Sequence, residues 1–342
     1  MNTTASNVHS TTKFPLRGPA RIQINEVAPR DGLQIEPVVV PTDAKVALLE
    51  ALSACGFARI EATSFTSAKA IPALADAEAV MHRMRRAEGV RYTVLVPNLR
   101  GLERALSCAP DEVNLVMSAS ETHNRANLRM TRAQSQAQLL AMIEVARAAG
   151  VPVNVSLSTV FGCPFEGEVA IDAVMALARG FAEAGADGIT LCDTTGMAYP
   201  NQVRAVCETF RRELPATGLT IHLHNTRGMG LANALAAWET GVSRFDAAAG
   251  GLGGCPYAPG ASGNVATEEL VHMFASMGVD TGVDLQRLLG IIGELPTVVE
   301  REVCSQLLRA GPRLRTHRPP AWLAEHFAEP SAGQSAGHSA GQ

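Results

Sequence analysis

Three short stretches of this chain supply side chains able to hold a cation and move protons. Ile221-His222-Leu223-His224 closes an apolar run that reads as a strand. Residues i and i+2 of a strand share a face, so both imidazoles point the same way and can bind one metal ion. The early stretch Pro29-Arg30-Asp31-Gly32 sets a guanidinium beside a carboxylate just before a glycine. Alone it reads as a turn salt bridge; beside the histidines, Asp31 becomes an oxygen ligand for a hard cation and Arg30 a fixed positive charge next to it. The third stretch, Gly251-Leu-Gly-Gly-Cys255-Pro-Tyr-Ala-Pro-Gly260-Ala-Ser-Gly-Asn264, places a thiol and an amide oxygen in a run of glycine and small residues. Such a segment can approach a ligand closely, with Cys255 available for acid–base work. Two nitrogens and two oxygens, from Asp31, His222, His224 and Asn264, suit Mg²⁺ or Mn²⁺; Zn²⁺ is the less favoured choice.

These residues lie far apart in the chain, so the fold must gather them. Apolar, β-branched runs occur at 21–27, 59–65, 92–96, 112–117, 152–159, 188–191, 219–223 and 244–248, with helical patterns such as 43–55, 131–149, 169–184 and 231–240 between them. Eight such alternations predict an α/β protein built as a closed parallel (β/α)8 TIM barrel. An open doubly wound sheet would carry a glycine-rich phosphate turn after its first strand, and none is present. Residues after 283 read as extra C-terminal helices. In such barrels chemistry sits at the C-terminal ends of the strands. Arg30 and Asp31 end strand one, Glu61 lies in strand two, Asp193 and Thr194 end strand six, the histidines end strand seven and Cys255 follows strand eight. One mouth therefore receives them all.

The chain has 342 residues, 46% of them hydrophobic, and a formal net charge of −4, enough material for one large core without the basic runs that a polyanion partner requires. No apolar stretch is long enough to span a bilayer, so neither a nucleic acid nor a membrane is expected as a partner. Seven dispersed cysteines suit a reducing compartment, and the expected location is cytoplasmic. Residues 1–20 contain no acid and carry Lys13 and Arg17; they read as a disordered tail, with a mitochondrial presequence, and hence a matrix location, as the alternative. The catalytic domain is placed at 21–310, and 311–342 reads as a low-complexity disordered tail. A homodimer is an open assembly.

Several longer motifs in a fixed order give a specific resemblance. Pro29-Arg-Asp-Gly-Leu-Gln34, Ile60-Glu-Ala-Thr-Ser-Phe65, Val160-Phe-Gly-Cys-Pro-Phe-Glu-Gly167, Asp193-Thr-Thr-Gly196, His222-Leu-His224 and the glycine loop through Glu268 resemble the 3-hydroxy-3-methylglutaryl-CoA lyase family of TIM-barrel metal-dependent enzymes. The resemblance implies an acyl-CoA substrate cleaved by a retro-Claisen step to acetyl-CoA and acetoacetate. Cleavage beside a tertiary alcohol needs the hydroxyl deprotonated and the departing carbanion held as an enolate, which a thioester makes feasible. Arg30 is expected to polarise the thioester oxygen. Asp31 or His222 is expected to take the hydroxyl proton, and Cys255 to protonate the enolate carbon. Glu61 and Asp193 are read either as partners that orient Arg30 and the histidines or as salt bridges within the barrel. Substrate contacts are expected at Arg30, Gln34, Ser64, Asn127 and Thr194.

Some residues depart from the family's pattern. Arg125 and Ala126 precede Asn127 where the family carries two lysines, Ser156 stands in place of an aromatic residue, and Thr122 and His123 replace apolar ones. Asn225 resembles the related condensing synthases, whereas Leu33 and the cysteine loop speak for a lyase. Citramalyl-CoA, yielding acetyl-CoA and pyruvate, is therefore an alternative substrate, and an acetyl-CoA/2-keto acid synthase an alternative reaction. A non-catalytic binding barrel is disfavoured by the intact set Arg30, Asp31, His222, His224, Cys255 and Asn264.

Overall fold

The strand residues divide by face. In β5 (Val153–Ser158) Val153, Val155 and Leu157 enter the hydrophobic core, while Asn154 and Ser156 hydrogen-bond to Asn114 of the neighbouring strand. Every residue of β5 and of β6 (Gly188–Asp193) is buried, as parallel strands covered on both sides require. A computed structural model describes residues 15, 17–254 and 263–326. Its strands β1 (Gln23–Glu26), β2 (Arg59–Ser64), β3 (Arg91–Val96), β4 (Glu112–Ser118), β5, β6, β7 (Gly218–Leu223) and β8 (Arg244–Ala247) form a closed parallel barrel in sequence order. Pairing of β1 with β8, from Gln23 opposite Arg244 to Glu26 opposite Ala247, closes the ring. The fold is a (β/α)8 TIM barrel.

Helices α1 (Thr42–Ser53), α2 (Ala77–Arg83), α3 (Leu99–Leu106), α4 (Glu121–Leu128), α5 (Arg132–Ala148), α6 (Ile171–Glu183), α7 (Pro200–Glu213), α8 (Gly230–Glu239) and α9 (Thr267–Ser276) follow the strands, with α10 (Leu285–Val299) and α11 (Gln306–Ala310) beyond them. Their starts are encoded locally. Asn98 caps α3, Ser120 caps α4, and Thr131 with Gln134 forms a reciprocal capping box on α5, each cap contributing about 1 kcal/mol. Among the described residues no helix is long and apolar enough to cross a membrane.

Element ends differ by a residue or two from the sequence reading. β1 is shorter because Val27 already begins a turn, and the segment after β4 contains the two-turn α4. The chain divides at Ala310. In the unit beginning at Gly311, which the sequence assigned to a disordered tail, Ala321–His326 form a helix, α12.

The lumen of the barrel is polar. Asn25, Glu61, Glu112, Asn114, Asn154 and Asp246, from five strands, line a cavity of about 20 Å³ at its centre.

Candidate active site

The turn after β1 creates the first half of the site. Pro29 lacks an N–H, and the amides of Arg30, Asp31 and Gly32 all converge on the Val27 carbonyl at 3.1, 2.7 and 3.2 Å, producing a single π-helical turn over Ala28–Gly32. Turns of this type recur at functional sites because they displace side chains from the regular helical path. Here Arg30 and Asp31 end up adjacent and largely buried. Arg30 Nε donates to Glu61 Oε2 at 2.5 Å, and its Nη1 pairs with Asp31 Oδ1. Burial works against the guanidinium charge, but Asp31 and Glu61 more than offset it. Burial also raises Glu61, against the pull of Arg30 and of the Asn114 amide, which donates to Oε1 at 2.9 Å.

The second half comes from β7 and β8. His222 in β7 and His224 just past its end are both buried, with their Nε2 atoms 3.1 Å apart. Asp31 Oδ2 lies 3.9 Å from His222 Nε2, and potential ligand atoms of Asp31, His222 and His224 are all within 4.8 Å of one another. Asn264 joins them: its Nδ2 donates to Asp31 Oδ2 at 2.8 Å and to the Leu252 carbonyl at 2.9 Å. Gly253 is required there, because its φ is +98° and a Cβ would lie 2.6 Å from Asn264 Nδ2.

Charge in this cluster is finely balanced. Burial would raise the Asp31 carboxyl, but Arg30, His222 and His224 bring it down to about 2. Burial and the neighbouring His222 ring push His224 down to about 3, leaving the neutral imidazole that a metal requires. For His222 burial lowers the pKa, and the hydrogen bond to Asp246 together with the Asp31 charge reverses the direction. The donor set fits a divalent cation. Two imidazole nitrogens face one space, an ionised carboxylate flanks it, and Asn264 Oδ1 is buried with no hydrogen-bond partner. Such a mixed nitrogen and oxygen set suits Mg²⁺, Mn²⁺ or Zn²⁺.

The other expected site residues are placed unevenly. Glu61 bonds to Arg30, matching an orienting geometry. Asp193 Oδ1 accepts the amides of Met197 and Ala198 at 2.7 and 3.1 Å, its Oδ2 is buried without a hydrogen-bond partner, and burial lifts its pKa to about 6 against the pull of those amides and of nearby His222. The residue that orients a histidine is Asp246, whose Oδ2 is 3.3 Å from His222 Nδ1 and whose Oδ1 accepts from Asn25 at 2.8 Å. Thr194 Oγ1 accepts the Thr159 amide at 3.0 Å, and the fully buried Ser64 hydroxyl pairs with Thr66 at 2.7 Å. Gln34 is half-buried just past the π-helical turn, and Asn127 is exposed on α4. Cys255 lies outside the described residues.

Sequence reasoning missed Asp246 and Asn25, although a signal existed. In Arg244-Phe-Asp-Ala the flanking Phe245 and Ala247 are core residues, so an acid between them must face the lumen and needs a partner there. Glu26 was missed too. It is fully buried, accepts the amides of Ala28 and Ala249 at 2.8 and 3.0 Å and the Thr267 hydroxyl at 2.8 Å, and burial raises it to about 7. It ties the β1 turn to the start of the glycine-rich segment. Among the departures from the family pattern, Asn225 caps the start of α8 by accepting the Gly230 amide at 3.0 Å, and the His123 ring sits 2.6 Å from the Ser118 hydroxyl.

Comparison with known proteins agrees with this architecture. The HMGL-like family matches residues 21–293. The chain is 46% identical over 271 residues to a hydroxymethylglutaryl-CoA lyase of Bacillus subtilis, covering 79% of this chain and 91% of that one. It is 42% identical over 301 residues to an (R)-citramalyl-CoA lyase of Chloroflexus aurantiacus, covering 85% and 95%. A solved HMG-CoA lyase from Acinetobacter baumannii, in complex with coenzyme A and 3-methylmalate, superposes with a TM-score of 0.85 at 48% identity, covering 88% of this chain and 98% of that one. With its barrel and buried donor cluster, this chain belongs to the HMGL-like family and is a carbon–carbon lyase.

Proposed function

We propose that this protein is a divalent-metal-dependent acyl-CoA lyase that cleaves 3-hydroxy-3-methylglutaryl-CoA to acetyl-CoA and acetoacetate. The observation that carries the reading is the convergence of Asp31, His222, His224 and Asn264 beside the buried cation Arg30. Asp31, His222, His224 and Asn264 would hold a divalent cation, which would supply Lewis-acid polarisation of substrate oxygens. Asp31 and His222 are the candidate bases for the hydroxyl proton. As the carbon–carbon bond breaks, its electron pair passes to the acyl-CoA fragment as an enolate. Arg30, held by Glu61 and Asp31, stabilises that charge at the thioester oxygen. Cys255 then delivers a proton to the enolate carbon, giving acetyl-CoA. Gln34, Ser64, Asn127 and Thr194 are assigned to substrate contact.

A second substrate, citramalyl-CoA, is favoured by one specific feature. Ser156 stands where the family resemblance leads one to expect an aromatic side chain, which changes the acyl end of the site, and a citramalyl-CoA lyase is among the similar proteins. The same bond cleavage then yields pyruvate.

The test is to mix purified protein with Mg²⁺ or Mn²⁺ and each thioester in turn, quantifying acetyl-CoA, acetoacetate and pyruvate before and after chelation. Acetoacetate formation that chelator abolishes and metal restores is expected. Cleavage of neither thioester ends the proposal, and predominant pyruvate release selects the second substrate. Cys255→Ser is expected to lower turnover sharply while metal affinity stays near wild type. An unchanged turnover would leave the thiol without a role in proton transfer.

A further inference from the structure

Barrels of this kind are generally filled with branched apolar side chains, yet here a hydrogen-bonded file crosses the lumen and ends at the reacting end. Asn154 Nδ2 donates to both Thr190 Oγ1 and Asn114 Oδ1, each at 2.9 Å, and Ser156 Oγ donates to the same Asn114 oxygen at 2.9 Å. Asn114 Nδ2 donates in turn to Glu61 Oε1, whose other oxygen holds Arg30. Every member of the file is buried.

Two donors on one carbonyl leave the Asn114 amide a single orientation. Arg30 already makes Glu61 an acceptor, so an Asn114 oxygen turned toward it would set acceptor against acceptor; the amide donor must face the carboxylate. We propose that Asn114, oriented by Asn154 and Ser156, is a positioning residue that fixes Glu61 as an ionised acceptor and thereby aims the Arg30 guanidinium at the substrate. Ser156, the departure from the expected aromatic residue, is thus part of the device. The inference rests on the reading of Arg30 as the group that stabilises the enolate.

The titratable and charged groups facing Glu61 are Arg30 from the turn after β1, with Asp31 on its far side, Asp246 from β8 and Cys192 from β6; Arg59 of its own strand and Glu112 of β4 line the same cavity. Among the described residues, Arg30 is the only one of these bonded directly to the carboxylate, and the Asn114 amide is its one neutral donor.

The test is a double-mutant cycle. Asn114→Leu keeps the side-chain size and removes all three hydrogen bonds of the amide; kcat for thioester cleavage is expected to fall about 10- to 100-fold with KM nearly unchanged, the scale of losing a hydrogen bond to a buried charge. In the Glu61→Gln background the same substitution is expected to add almost nothing, since both act through one group. A carboxyl ¹³C NMR titration, with Glu61→Gln for assignment, is expected to move the Glu61 midpoint upward in Asn114→Leu whatever the substrate. Should Asn114→Leu not fold, Ser156→Ala loosens the same carbonyl with little change of volume and is expected to cost about 5-fold in kcat. Wild-type turnover in both substituted proteins, fully additive losses, or an unmoved Glu61 midpoint each overturns the proposal. If Arg30→Gln and Glu61→Gln both turn over at the wild-type rate, the reading of Arg30 falls and takes the relay with it; if those two are crippled and the Asn114 variant is not, only the relay falls.

Discussion

The two sides of the barrel mouth are built to different standards. On the side formed by the β1 turn, β7 and the approach to α9, Asp31, His222, His224 and Asn264 are packed out of solvent and bonded to one another or to Arg30. On the α4 side, Arg125, Asn127 and Arg129 are exposed, and Arg125 is held by an ion pair to Glu121 one helical turn away. Such exposed pairs contribute a few tenths of a kcal/mol. The contrast matches what the proposed reaction would ask of each side. Charge that develops during bond cleavage is stabilised by dipoles and ions already in place, whereas a long carrier group, if held on the α4 side as proposed, needs attraction along its length and little fixed geometry.

The sharpest way to break this contrast is Asp31→Asn, which is expected to abolish tight Mn²⁺ binding and lower kcat on the order of 10³-fold, several kcal/mol of lost electrostatic stabilisation. Metal content and turnover measured together decide it; a metal-loaded, active Asp31→Asn protein would dissolve the distinction between the sides. Asp246→Asn removes only the group behind His222 and is expected to weaken metal affinity or turnover about 10- to 100-fold.

The buried side also has a pH signature, carried by Glu26. Burial, the main cause, raises its carboxyl from the ordinary 4.5 to about 7 in the folded chain. Between those values the folded chain keeps a proton that the unfolded chain has lost, so stability from this group is full below about 4.5 and falls as pH rises toward 7. The loss across that window is roughly 3 kcal/mol. Denaturant unfolding from pH 4.5 to 7 is expected to show a flatter slope in Glu26→Gln, and an unchanged slope would remove Glu26 as its source. The smallest effect belongs to the exposed side: replacing Arg125 and Arg129 with alanine is expected to raise KM about 2- to 5-fold and leave kcat alone.

The sequence made the barrel readable because most strands are short apolar, β-branched runs alternating with helical patterns, and α3, α4 and α5 carry their own side-chain caps. The candidate metal donors were readable because their signals are local: two histidines at strand spacing, and an acid beside an arginine before Gly32. What stayed hidden depends on three-dimensional pairing. Asp246, Asn25 and Asn114 look like ordinary strand residues until the closed ring turns them inward. The π-helical turn at Ala28–Gly32 leaves no periodic trace in five residues.

The seam between β1 and β8 has a consequence for biosynthesis. Asp31 and Asn264, bonded at 2.8 Å, stand 233 positions apart, so the complete donor set cannot exist on a nascent chain until nearly the whole barrel has left the ribosome. Capture of the proposed cation would therefore be a late event, one that rewards only those polypeptides that have finished closing the ring. Under the proposed function, a cell short of the cation would accumulate full-length protein lacking that last increment of stability, which mass action supplies in proportion to free ion.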